Sequence, residues 1–209
     1  NSHPTQEIMN DLENLFKLNK LDLLEKKINE LINIYSNSSV LLNILGILNQ
    51  KKNDLNSAII NFKLAIKIDP NFKLAINNLG NAFKNIGELE ESVLNYKKAI
   101  KLDPYYAEAH SNLGVVHKEL GQLHESVDCL EKAIKLKPDY FEAYSNLGNA
   151  LSELGKFEKA VENHKKAIKI NPNYAEAYSN LGNALGELGK FGESINSHKK
   201  ALDVNPKYL

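Results

Sequence analysis

The chain has 209 residues, 43% of them apolar, which is enough for a sizeable core and unlike a disordered segment. All 26 basic residues are Lys and they offset 26 acidic ones; without Arg or net charge, the chain lacks the footprint of a nucleic-acid binder and the forked groups that grip phosphate. The lone Cys129 excludes an intrachain disulfide and a cysteine metal cluster, and no apolar run is long enough for a membrane span or signal core, so a cytoplasmic protein with no cofactor, nucleic-acid partner or membrane partner is expected.

Residues 1–38 carry weak signals. Leu12, Leu15, Ile28, Leu31 and Ile32 keep helical apolar spacing, which predicts a hairpin of two helices. From Ser39 onwards a period appears. Pro70, Pro104, Pro138, Pro172 and Pro206 stand 34 residues apart, and Leu45, Leu79, Leu113, Leu147 and Leu181 keep the same interval. Gly46, Gly80, Gly114, Gly148 and Gly182 follow each Leu, and Ala65, Ala99, Ala133, Ala167 and Ala201 complete the ladder. The units run 39–72, 73–106, 107–140, 141–174 and 175–208. In 5–38, Asp11 and Leu12 stand where Leu and Gly would be and Ser36 replaces Pro, so this stretch reads as a degenerate capping hairpin that covers the first unit.

Each unit predicts two antiparallel helices, A and B. In 141–174, Tyr144, Leu147, Gly148 and Leu151 form one face of helix A, and Ala160, Val161, His164, Ala167 and Ile168 the matching face of helix B. Gly155 supplies a left-handed residue after helix A, a place held by Asn53 in the first unit, and Pro172 stops helix B. Gly148 weakens helix A by roughly 1 kcal/mol relative to Ala, so its recurrence predicts a packing role, with two helix backbones too close for a side chain.

The 34-residue Leu-Gly, Ala, Pro order resembles the tetratricopeptide repeat family, over residues 39–208. The resemblance implies an all-α, right-handed α-solenoid superhelix of antiparallel helix pairs, with helix A lining a concave groove. AHSNLG (109–114) and AYSNLGNAL (143–151, 177–185) are similar to repeats in the arm of O-linked N-acetylglucosamine transferase and to repeats preceding bacterial sulfotransferase and glycosyltransferase domains. No part of the chain resembles those catalytic domains, so a non-enzymatic protein of bacterial origin is expected.

The other side of helix A is polar. Asn78, Asn112, Asn146 and Asn180 recur at one register, with Ile44 there in the first unit; Asn81, Asn149 and Asn183 recur one turn on. Glu108, Glu142 and Glu176 share a third register, and Asn77, Ser111 and Ser145 extend the stripe. An Asn amide both donates and accepts, so such a ladder suits the backbone of an extended peptide, as the resemblance also implies; it equally suits bonds between adjacent helices. The family's carboxylate clamp needs cations where this chain has Asn, Ser and Glu, which argues for a neutral or basic partner segment rather than an acidic tail.

His110, His117 and His124 are seven apart, too far for an i, i+4 metal pair, and His164 and His198 take the packing register of Phe62, Tyr96 and Leu130. Phe72, Tyr106, Tyr140, Tyr174 and Tyr208 follow each Pro and read as packing between units. Nothing polar follows the last unit to cap the face around Ile195, Ala201 and Leu202. A homo-oligomer contact or a downstream domain is therefore expected at that end.

Overall fold

The computed structural model describes residues 4–207. Among them are twelve helices and no strand: α1 (Gln6–Lys17), α2 (Leu21–Ile34), α3 (Ser39–Lys51), α4 (Leu55–Ile68), α5 (Lys73–Asn85), α6 (Leu89–Leu102), α7 (Ala107–Glu119), α8 (Leu123–Leu136), α9 (Phe141–Glu153), α10 (Phe157–Ile170), α11 (Ala175–Glu187) and α12 (Phe191–Val204). Odd-numbered helices are the A helices and even-numbered ones the B helices. Three-residue turns join each A to its B and leave the two antiparallel and packed together.

Local chemistry sets these limits. The turn after each helix A passes through the left-handed region, at Gly155 (φ 71°) and at Asn53 (φ 64°) as the sequence predicts. The N-terminal hairpin uses Asn19 (φ 55°), which the sequence reading did not single out. Ser38 and Asp54 cap α3 and α4, accepting from the backbone amides of Leu41 and Ser57. Helix B gives way to an extended residue such as Asp69 or Asn171, and the proline follows it.

The helices fall into two units, 1–103 and 104–209. The first holds α1–α6. One of its clusters centres on Leu12, Leu24, Ile28, Leu41 and Leu48, and a second on Ala58, Phe62, Leu79 and Ala82. The second unit holds α7–α12 around Leu130, Leu147, Leu151, Leu181 and Leu185. Burying each such Leu or Phe contributes on the order of 1.5–3 kcal/mol. Of the residues expected at an uncovered end, Ile195 is exposed, Leu202 half-buried and Ala201 buried; Tyr208 and Leu209 lie outside the described residues.

The recurrent glycine of helix A has a different cause from the predicted one. A Cβ on Gly46 would sit 2.5 Å from the Phe62 ring, on Gly80 2.7 Å from the Tyr96 ring, and on Gly148 2.5 Å from the His164 ring. The glycine therefore makes room for the large side chain of its own helix B, not for a second backbone. Backbone closeness contributes at Gly114, where a Cβ would sit 2.7 Å from the Leu130 side chain and 3.1 Å from the Ser126 carbonyl oxygen. Ser92 and Ser194 fix the same crossing by donating to the carbonyls of Gly80 (2.8 Å) and Gly182 (2.7 Å).

Candidate peptide-binding face of helix A

In the first unit the expected amides are engaged within the protein. Asn78 donates from Nδ2 to Asn43 Oδ1 across to the preceding repeat, at 3.0 Å. Asn81 accepts from the Tyr96 hydroxyl at 2.7 Å, because Tyr96 passes over Gly80 and reaches the polar side. Each amide keeps further donor or acceptor capacity. In the first full repeat the two Asn registers hold Ile44 and Ile47, which line an apolar groove of about 340 Å³ with Met9, Leu12 and Phe16.

In the second unit the polar side of helix A forms a cleft of about 290 Å³. Asn149, Ser152 and Glu153 from α9 face Asn180 and Asn183 from α11, and Lys118 from α7 closes it. Lys118 pairs with Glu153 at 3.1 Å, tying α7 to α9. The cleft continues past Ser152 and Asn183 to Phe157, Ala184 and Glu187. Asn149, Asn180 and Asn183 are thus brought together, whereas Asn112 and Asn146 are half-buried on α7 and α9 and do not line it. Lys118 was missed by the sequence reading. Its register holds Lys84 in the preceding repeat but Ser152 and Gly186 in the next two, so the recurrence is too short to stand out.

Asn180 differs from Asn78 in one respect: its Nδ2 is buried without a hydrogen-bond partner. Ser145 occupies the register of Asn43, and its Oγ is likewise buried without a partner. The shorter side chain leaves open the bond that Asn43 makes in the first unit. Ser111, Ser145 and Asn77 were expected on the polar stripe, but they are buried on the packing side. Each stands immediately before the ladder Asn, and one residue along a helix rotates a side chain by about 100°, which carries them off the open side.

The three glutamates sit in the first turns of α7, α9 and α11, where a carboxylate meets the positive end of the helix dipole. Glu108 is paired with Lys137 at 2.9 Å, which holds the Lys137 ammonium pKa above its usual value. Glu176 accepts from the Tyr174 hydroxyl at 2.9 Å; burial, then this carboxylate, pushes the phenol pKa up. Glu142 adds negative charge near both Tyr140 and Tyr174. These tyrosines precede their helices and pack between repeats; Phe141 and Tyr174 meet edge to face at 5.0 Å.

The histidines separate. His110 bonds the Pro104 carbonyl at 3.1 Å, His117 is buried against Gln122, and His164 is wholly buried with neither ring nitrogen bonded. Desolvation lowers the His164 pKa to about 4, so it is neutral at pH 7. Among the described residues no three His, Cys, Asp or Glu side chains are grouped to hold a metal ion, and no helix is long and apolar enough to cross a membrane.

The family model described as TPR repeat matches residues 80–121, 116–155 and 148–189, and models described as tetratricopeptide repeat match 40–72 and 175–208. The chain belongs to the tetratricopeptide repeat family. This tetratricopeptide repeat chain is 32% identical to the crystal structure of MamA, with a TM-score of 0.68 over 78% of this chain and 95% of that one. YrrB, described as a TPR protein with an unusual peptide-binding site, is 20% identical with a TM-score of 0.64, covering 87% of this chain and 93% of that one. PilF of Pseudomonas aeruginosa is 13% identical with a TM-score of 0.83, covering 97% and 92% respectively. The last two show likeness of fold alone. No curated protein sequence matches the chain.

Proposed function

We propose that this tetratricopeptide repeat chain is a non-catalytic interaction scaffold that holds an extended peptide on the polar side of helix A. The observation that carries the reading is the cleft where Asn149, Asn180 and Asn183 converge. Amides can pair with the carbonyls and amides of a peptide backbone whatever its side chains. Glu153 and Glu187 at the rim favour a neutral or basic segment. Asn78, Asn81, Asn112, Asn146, Glu108, Glu142 and Glu176 belong to the same face of helix A as secondary contacts, several already committed to internal bonds.

The test uses a dodecamer selected on the protein from a random peptide library. Replacing Asn149, Asn180 and Asn183 together by Ala removes several bonds of about 0.5–1.5 kcal/mol each, so affinity falls roughly 10- to 100-fold at unchanged helicity. Unchanged affinity in the triple variant makes the amides structural only. A second reading is favoured by the repeated AYSNLGNAL string: the same face serves as the substrate-recognition arm of a glycosyl- or sulfotransferase. A reading frame that continues past Leu209 into such a catalytic domain separates the two.

A further inference from the structure

The solvent side of helix B is ordinarily polar, and in the second unit it is: one register holds Asp128, Glu162 and Asn196. In the first unit the same register holds Ile60 on α4 and Leu94 on α6, exposed at 58% and 60%, and Leu64 adds a third exposed apolar side chain one turn after Ile60. Elsewhere the Leu64 register holds Lys. These three side chains are not needed by the core, since Ala58, Ile59, Phe62 and Ala65 face it from α4 and Ser92, Tyr96 and Ala99 from α6.

Lysines flank them. Lys67 lies at i+7 from Ile60, and Lys97, Lys98 and Lys101 lie at i+3, i+4 and i+7 from Leu94, on the same sides of their helices and all exposed. Lys63 is drawn aside, its ammonium 5.4 Å from the centre of the Phe83 ring. α4 contains no acidic residue, and on α6 Glu90 and Glu91 are confined to the first turn. Positive charge is thus gathered towards the C-terminal ends of both helices, and the two glutamates stand one turn before Leu94.

We infer that this face of the first unit adsorbs to an anionic lipid surface. Aliphatic side chains enter the headgroup boundary, and lysines beside them keep their ammonium groups at the lipid phosphates while their stems lie along the apolar layer. The composition argues against a protein partner. Protein interfaces are enriched in aromatic residues and Arg and depleted in Lys, whereas this patch is Ile, Leu and Lys. The contact is peripheral and independent of the peptide reading; the absence of a spanning helix bears on insertion, not on adsorption.

The test is co-sedimentation of the intact chain with mixed phosphatidylcholine–phosphatidylserine vesicles, with pure phosphatidylcholine vesicles and soluble polyglutamate as comparisons. Binding to the mixed vesicles that weakens with added salt is expected. Ile60→Ser with Leu94→Ser abolishes it, and each of Lys97→Gln, Lys98→Gln and Lys101→Gln lowers partitioning about fivefold. Lys132→Gln and Lys200→Gln, at the Lys98 register of other repeats, leave it unchanged. Circular dichroism confirms that these surface variants keep their helices. Failure to sediment with the mixed vesicles, equal binding to uncharged vesicles, or competition by polyglutamate together with insensitivity to the Ser substitutions overturns the inference.

Discussion

Gly148 and His164 show how one position dictates another. The imidazole lies where a Cβ on residue 148 would be, so Gly148→Leu forces both the ring and the helices apart. Overpacking of this kind costs about 1–3 kcal/mol, and the better helix propensity of Leu offsets only part of it. Urea midpoints should fall for Gly148→Leu; an unchanged midpoint contradicts the packing role. The ring itself predicts a pH effect. His164 binds a proton near pH 6.5 when unfolded but only near pH 4 when folded, so the unfolded chain carries the extra proton between those values. Its contribution is constant above about pH 6.5, is lost as pH falls towards 4, and amounts to on the order of 3 kcal/mol. Leu130 fills the same register, so His164→Leu should flatten this part of the stability–pH curve; a curve of unchanged slope assigns the acid sensitivity elsewhere.

Ser145 offers the opposite test, a gain. Asn fits the buried register at Asn43 and Asn77, and Asn43 pairs with Asn78. Ser145→Asn should give Asn180 Nδ2 the acceptor it lacks and stabilise the protein by about 0.5–1.5 kcal/mol in equilibrium unfolding. A loss of stability means that the second unit cannot accommodate the longer side chain.

At the level of the helices, most of the fold was legible. Period-34 Pro and Gly fixed where helices stop, because a missing amide hydrogen and a positive φ act locally and leave a mark in any one copy. The turn at Asn19 was less visible because Asn is abundant and only sometimes left-handed. The buried side of helix A was misjudged at Ser111 and Ser145, since a small polar residue satisfies either side and hydropathy alone does not decide. The glycine ladder was legible as a need for space, but its partner side chain came from helix B, a tertiary fact that periodicity does not carry. Recurrence marked the asparagines; which of them share a cleft depended on single departures, such as Ile44 and Ile47, Ser in place of Asn, and Lys118.

For the molecule as a whole, a repeat array is stabilised by the intrinsic stability of each hairpin and by its contacts with neighbours, and its exposed helix faces are left for partners. Two such faces carry different chemistry: amides on helix A of the second unit, and Ile, Leu and Lys on helix B of the first. Amides on helix A that hold a peptide backbone must change environment when the peptide binds, and side-chain amide resonances read that change. With the selected dodecamer, the NH₂ signals of Asn149, Asn180 and Asn183 should shift in saturable fashion with one common dissociation constant, as should Lys118 and Glu153 nearby. Saturable peptide binding that leaves those three amides unmoved would mean that the peptide is held elsewhere.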